Sequence, residues 1–208
     1  MTEKITDGIY RLLVPFEELT TTVYIEKRDT GVGLIDSATY PSDADSYIIP
    51  ALRELGLDPS DVRYIALTHR HGDHAGGAPR LLELCKAARL YANPCEGVAD
   101  ALPIRDGDTI GGLVAIHLPG HTEGSTAFYD PAEGVLLSGD CLQLRGVGKY
   151  RNGVTLPTLY RASVERLGGM DVRRIVAAHD YDPLGSIADG REAVAHYLDE
   201  CLAAIADL

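Results

Sequence analysis

The stretch "LTHRHGDHAGG", Leu67 to Gly77, follows the apolar run "VRYIAL" and puts three histidines and an aspartate within six residues. On an extended segment leaving a strand, His69 and His71 are two apart and point the same way, so two imidazoles converge on one point. Asp73 and His74 follow on the loop entering the next helix, are forced apart by their adjacency, and can serve a second point a few ångströms away. Three further residues of the same chemistry stand where an apolar run meets a polar or glycine-rich turn: His121 in "LPGHTEGS", Asp140 in "LLSGDCL" and His179 in "VAAHDYD". Such boundaries are where a rigid scaffold presents ligating side chains from its loops. The fold must therefore bring the ends of several strands together.

The rest of the pattern supplies those strands. "GIYRLLVP" and "TTVYIEKRDTGVGLIDSA" read as β-rich runs, the second a hairpin about "RDTG". Ser42 is placed to cap a helix through "DADSYIIPALRELG", with Ile48, Ile49, Leu52 and Leu55 on one face and Pro50 predicting a kink or a late start. After the cluster, "GAPRLLELCKAARL" has helical spacing at Leu81, Leu84, Cys85 and Ala88, and "RLYANP" reads as a strand. "GDTIGGLVAIHLPGHT", "STAFYDPA" and "EGVLLSGD" are short strands punctuated by Gly and Pro. "LPTLYRASVERLGG" is a helix, "VRRIVAAHD" a strand, and "DGREAVAHYLDECLAAIADL" a terminal helix with Val194, Tyr197, Leu198, Cys201 and Ile205 facing inward, opened by an Asp189 and Glu192 capping box. Strands and helices thus alternate in two comparable halves with no linker between them. The fold expected is α/β (α+β), a four-layer αββα sandwich forming one domain over residues 1–208.

At 208 residues such a domain buries roughly 70% of its unfolded surface. The net charge of −12 repels a phosphate backbone, which argues against a nucleic-acid partner. The N-terminus "MTEKITDGIYRLLVPFEE" lacks a basic region leading into an apolar stretch, and no segment approaches the ~20 apolar residues of a membrane span. Cys85, Cys95, Cys141 and Cys201 form no C-x-x-C pair, are read as buried fillers, and fit a reducing compartment. The expectation is a cytoplasmic protein without a membrane partner. Its oligomeric state, a homodimer included, stays open.

Divided over two divalent ions, the ligand set gives His69, His71 and His121 to one metal and Asp73, His74 and His179 to the other, with Asp140 bridging. All are N and O donors, suited to zinc and tolerated by iron or manganese. Asp36, at the end of the second strand run, either holds a ligand histidine by its other nitrogen or is a turn residue. His117 and His196 are read as solvent-facing or packing residues, Cys141 as core, and Gly76 and Gly77 as allowing close helix approach.

"THRHGDHAGG", "PGHTEGS", "LLSGD" and "AHDY" together resemble the metallo-β-lactamase-fold hydrolase superfamily, whose H-x-H-x-D-H pattern with a later His, Asp and His is matched residue by residue. The resemblance implies the αββα sandwich with a dinuclear metal site at the edge between its sheets. "GDCLQLRGVGKYRNG" is further similar to a segment of the glyoxalase II enzymes, the hydroxyacylglutathione hydrolases, in which a basic residue contacts the thioester substrate. That position is Lys149, and Tyr150 and Arg151 beside it are substrate-binding candidates or an ordinary solvated loop. The same stretch also resembles the persulfide dioxygenases, which keep the ligands and use one iron. Two departures stand out. The chain ends about one helix after His179, which predicts a site without the helical domain that grips glutathione, and Asn152 replaces the glutamate of the segment.

The chemistry expected is hydrolysis. A water shared by two cations loses a proton near neutral pH, since one zinc already lowers its pKa to about 7. The hydroxide attacks the carbonyl of a small acyl substrate, a thioester first, while Asp73 orients it or passes its proton to the leaving group. No serine or cysteine nucleophile is required, and no G-x-S-x-G elbow occurs. A lactonase and an iron-dependent persulfide dioxygenase are the competing readings.

Overall fold

The computed structural model describes residues 2–144, 153–181 and 184–206. The chain divides into two compact units, Met1–Ile104 and Arg105–Leu208.

The first unit is built on a seven-stranded sheet in chain order: β1 (Thr2–Thr6), β2 (Ile9–Phe16), β3 (Leu19–Arg28), β4 (Gly31–Ile35), β5 (Val62–Ala66), β6 (Arg89–Ala92) and β7 (Leu102–Pro103). β1 to β4 form an antiparallel meander, and the predicted "RDTG" hairpin closes with Arg28 opposite Gly31. From β4 to β7 the pairing is parallel, so each connection must cross back over the sheet. The first crossover is helical: α1 (Pro41–Asp43), a π-helical stretch Ala44–Ile48, and α2 (Ile49–Glu54). Ser42 is not its cap. The helix starts one residue earlier at Pro41, and the Asp43 carboxylate accepts the backbone N–H groups of Thr39 and Tyr40 at 3.1 and 2.8 Å. Pro50 has no N–H to give, and the wider turn just before it, where the Ile49 N–H reaches back to Ala44 O, takes up the change of register. Ile48, Ile49 and Leu52 are buried as predicted. The second crossover holds α3 (Gly72–Ala75) and α4 (Ala78–Leu84), the latter ending well short of the predicted run. β1 escapes sequence reading because Ile5 is its only buried residue; it is a polar edge strand.

The second unit carries a six-stranded sheet in the order β13-β12-β11-β10-β9-β8, made of β8 (Thr109–Ile110), β9 (Leu113–His117), β10 (Thr126–Asp130), β11 (Val135–Gly139), β12 (Arg174–Tyr181) and β13 (Gly185–Asp189). β11 and β12 are parallel and the other pairs antiparallel, so β9, β11 and β12 run the same way. Helices α5 (Pro157–Gly168) and α6 (Arg191–Ala203) pack their apolar faces into this unit's own core. Val194, Tyr197, Leu198, Cys201 and Ile205 are all buried.

The capping box expected at α6 is absent. Gly190, at φ 90°, occupies the cap, while Asp189 ends β13 and pairs with Arg174 of β12 at 2.8 Å. A cross-strand guanidinium wins that carboxylate from the helix terminus. Cys85, Cys141 and Cys201 are core residues, and burial pushes the Cys85 thiol up to about 11 and the Cys201 thiol up to about 12. Cys95 departs from the expectation: it sits exposed on the short 3-10 turn Pro94–Glu96. No helix among the described residues is long and apolar enough to cross a membrane.

Candidate metal centre

Each sheet gathers chemistry at one edge. In the first unit β4, β5 and β6 are parallel neighbours, and past their carboxyl ends come Asp36, then Thr68 to His74, then Glu96. In the second unit, His121 follows β9, Asp140 follows β11, and His179 lies near the end of β12. The register sets Gly139, the residue before Asp140, opposite Ala177, two residues before His179. Carboxyl ends of like-directed strands are where open α/β sheets place their ligand sites.

The histidine-rich segment packs its rings tightly. The centroids of His69 and His71 are 4.6 Å apart and those of His69 and His74 4.2 Å apart. His69 and His74 are buried, whereas His71 is exposed. Asp73 and His74 occupy α3, and there adjacency does not separate their ligand atoms: Oδ2 of Asp73 is 3.5 Å from Nε2 of His74, because the helical turn lets both side chains lean the same way. The Thr21 hydroxyl donates to the Asp73 carbonyl at 3.1 Å and ties α3 to β3.

Behind the rings stands Asp36, fully buried. Its Oδ2 accepts from His74 Nδ1 at 2.7 Å and from the Thr68 hydroxyl at 2.8 Å, and its Oδ1 accepts the Thr68 backbone N–H at 2.7 Å. With its proton given to Asp36, the Thr68 oxygen faces His69 Nδ1 at 3.1 Å as an acceptor. One carboxylate thus fixes the tautomer of two rings, each with Nδ1 occupied and Nε2 directed away. That is the arrangement by which metal-ligating histidines are oriented. Asp36 holds this place at φ 64°, left-handed backbone that Asp tolerates better than most residues. Gly76 and Gly77 let α3 and α4 approach the same loop, since a Cβ on either would meet the backbone oxygen of Thr39 or Ser37 at 1.8 or 2.1 Å. Glu96 completes the first unit's set: its buried carboxylate accepts the backbone N–H of Arg70, the residue between His69 and His71, at 2.7 Å.

The second unit orients two of its candidate ligands, His121 and Asp140, with neutral groups. His121 Nδ1 donates to the Gly153 carbonyl at 2.7 Å. Asp140 Oδ1 accepts from the Tyr181 hydroxyl at 3.0 Å, and burial, then the Asp140 charge, hold that phenol well above its usual range. The Asp140 oxygens lie 3.6 Å from His121 Nε2 and 3.4 Å from His179 Nε2. Both separations are long for a hydrogen bond, while tetrahedral ligands with bonds of about 2.0–2.2 Å stand roughly 3.3–3.6 Å apart. Imidazole and carboxylate donors at this spacing fit a divalent ion such as zinc, iron or manganese.

His117 and His196 stand aside. His117 Nε2 meets the Glu123 carbonyl at 2.9 Å, and His196 is exposed on α6. Lys149, Tyr150 and Arg151 lie outside the described residues. Sequence reasoning missed Thr68, Glu96, Gln143 and Tyr181. Only the adjacency of Thr68 to His69 and the place of Tyr181 in the "HDY" triplet, two residues after His179, gave any local sign of them.

The sequence matches the metallo-β-lactamase superfamily over residues 16–94 and 105–179. The chain belongs to that superfamily, and its fold is the mixed α/β type expected. A hydroxyacylglutathione hydrolase of Aeromonas hydrophila is 36% identical over 152 residues, 68% of this chain and 55% of that protein. A second, from Pseudomonas aeruginosa, is 38% identical over 124 residues, 56% of this chain and 47% of that protein. The chain spans about half the length of these curated relatives. Among solved structures, a metallo-β-lactamase family protein from Thermus thermophilus superposes with a TM-score of 0.76 at 26% identity, covering 96% of this chain and 80% of that one.

Proposed function

We propose that this chain is a dinuclear metal-dependent hydrolase of a small acyl compound, a thioester first. The observation that carries the reading is the orientation of His69, His74 and His121, each with Nδ1 held by an acceptor, which leaves Nε2 as the nitrogen that would ligate. In this reading the two sets of ligands would act together as one domain: His69, His71 and His121 would hold one ion, Asp73, His74 and His179 the other, and Asp140 would serve both. Two divalent ions held there, zinc in preference to iron or manganese, would supply a water of lowered pKa and a Lewis acid for a carbonyl oxygen.

The chain supplies the rest. Asp73, less buried than His74, orients the attacking water, takes its proton and returns it to the leaving group. Asp36 and Thr68 keep His69 and His74 in the ligating tautomer throughout, so that no ring must reorganise as charge develops. Lys149, with Tyr150 and Arg151, binds the acyl substrate. The hydroxyacylglutathione hydrolases among the relatives favour a thioester over a lactone or a persulfide. The net charge of −12 supports a small-molecule substrate over nucleic acid, and four free cysteines support a cytoplasmic setting.

Metal analysis of protein purified without chelators, coupled to a panel of thioesters, lactones and persulfide, tests the reading. Two zinc ions with thioester turnover are expected. Lactone turnover alone would move the assignment to a lactonase. One iron with oxygen uptake would replace it with the dioxygenase.

A further inference from the structure

The bridging candidate Asp140 and the ligand candidate His121 follow different strands, β11 and β9, yet one buried side chain reaches toward both. Gln143 is 3% exposed. Its Nε2 donates to the Asp140 backbone carbonyl at 3.0 Å and to the Tyr181 hydroxyl at 3.0 Å, and that hydroxyl passes its own proton to Asp140 Oδ1. Its Oε1 accepts the Gly153 N–H at 3.3 Å, and the carbonyl of the same glycine accepts from His121 Nδ1. The carboxamide has one donor end and one acceptor end, and each finds only complementary groups, so the direction of the whole chain is fixed.

Two further contacts hold the hub still. The Gln143 backbone N–H donates to the Tyr160 hydroxyl at 2.7 Å, and that hydroxyl donates to the Gln143 carbonyl at 2.7 Å. Gly153 has no room for a side chain: a Cβ there would lie 2.8 Å from His121 Nδ1 and 3.2 Å from Gln143 Oε1. No residue but glycine passes between them without displacing the ring or the amide.

We infer that Gln143 is a positioning residue that sets the Asp140 carboxylate with one arm and the His121 tautomer with the other, coupling two ligands of the proposed metal site. The inference rests on the hydrolase reading for its purpose and on the hydrogen-bond chain for its substance. A buried polar network of this kind acts as a unit, because a lost member leaves its neighbours unsatisfied.

Gln143→Met keeps length and removes both arms. Gln143→Glu keeps the acceptor for Gly153 and removes the protons given to Tyr181 and the Asp140 carbonyl. Zinc affinity is measured by chelator competition, and the His121 ring by its Nδ1–H resonance in metal-free protein, assigned against His121→Gln. Gln143→Met is expected to bind zinc about 10–100-fold more weakly, the range seen when such outer partners are lost, and to lose the protected Nδ1–H signal. Gln143→Glu is expected to keep that signal and still bind zinc more weakly. Wild-type affinity in either variant, or an unchanged His121 signal in Gln143→Met, overturns the inference. If Gln143→Met does not fold, the affinity of Gln143→Glu decides. If the wild-type protein binds no divalent metal, the hydrolase reading fails, and the His121 signal alone decides whether Gln143 positions that ring.

Discussion

The two units hold their candidate ligands in different ways. In the first, four candidate ligands lie within six residues after a single strand, and buried carboxylates hold the histidine segment: Asp36 through His74 and Thr68, Glu96 through the Arg70 backbone. In the second, three candidates come from three strands, and neutral groups hold two of them: a backbone carbonyl holds His121, and a phenol, itself bonded to a carboxamide, holds Asp140. The difference follows from crowding. His69 and His74, with rings 4.2 Å apart, take their orientation from one shared acceptor, and a carboxylate can accept several hydrogen bonds at once. Ligands arriving on separate strands are already spaced by the sheet, so hydrogen bonds without net charge suffice to choose their orientation.

The largest effect belongs to Asp140, which breaks the comparison if the second unit is dispensable. Asp140→Ala removes the carboxylate that faces both His121 and His179 and leaves the Tyr181 hydroxyl without its acceptor. The expected result is loss of at least one metal and a fall in turnover of more than about 100-fold. Retention of two metals at full activity, by elemental analysis and kinetics, would sink the bridging role.

Next come the two kinds of holder, compared directly. Asp36→Ala strands three donors in a fully buried site and places alanine at φ 64°, so it is expected to cost about 3 kcal/mol or more of stability along with metal affinity. Tyr181→Phe keeps the ring and deletes two neutral hydrogen bonds, the one given to Asp140 and the one received from Gln143, at a cost of about 1–3 kcal/mol. Denaturant melts of the metal-free proteins compare the two. Equal losses would mean that the contrast between charged and neutral holders has no energetic content.

The same contrast explains what the sequence shows and hides. The contiguous cluster is legible because its spacing carries its geometry, two residues along an extended chain and then a helical turn. His121, Asp140 and His179 are legible because each sits at a strand end that apolar runs and glycines punctuate. The holders are written in no such pattern. Gln143 meets Gly153 and Tyr181 only once β11 and β12 pair in parallel, and Glu96 meets Arg70 only because β5 and β6 are neighbours. The mistaken cap at Asp189 has the same origin, since its partner Arg174 is supplied by a strand fifteen residues away. Local grammar sets elements and ligands, whereas tertiary pairing decides where the remaining polar side chains go.

Glu96 gives a smaller effect that sharpens the picture within the first unit. Glu96→Gln keeps an acceptor for the Arg70 N–H and removes the charge that faces the Arg70 guanidinium at 3.7 Å, while Arg70 itself is half exposed. A loss of about 1 kcal/mol in stability is expected, with zinc affinity lowered less than about tenfold. Glu96→Ala should do worse by leaving that N–H without its acceptor. Identical behaviour of the two variants would mean that charge, and not the hydrogen bond to the histidine segment, is what Glu96 contributes.

The smallest effect is expected where a histidine lies outside both sets. His196 is exposed on α6, with the buried face of that helix formed by Val194, Tyr197, Leu198 and Cys201 on its other side. An imidazole there has neither a fixed tautomer nor a ligand neighbour, and histidine is a weaker helix former than alanine. His196→Ala should therefore leave metal content and turnover at their wild-type values and change stability by no more than about 0.5 kcal/mol, either way. The measurement is a direct control on the central comparison, because it asks whether histidine count or histidine orientation determines metal binding. A drop in bound metal in His196→Ala would show that rings without an oriented Nδ1 also recruit ions, and the distinction drawn between held and unheld imidazoles would lose its force.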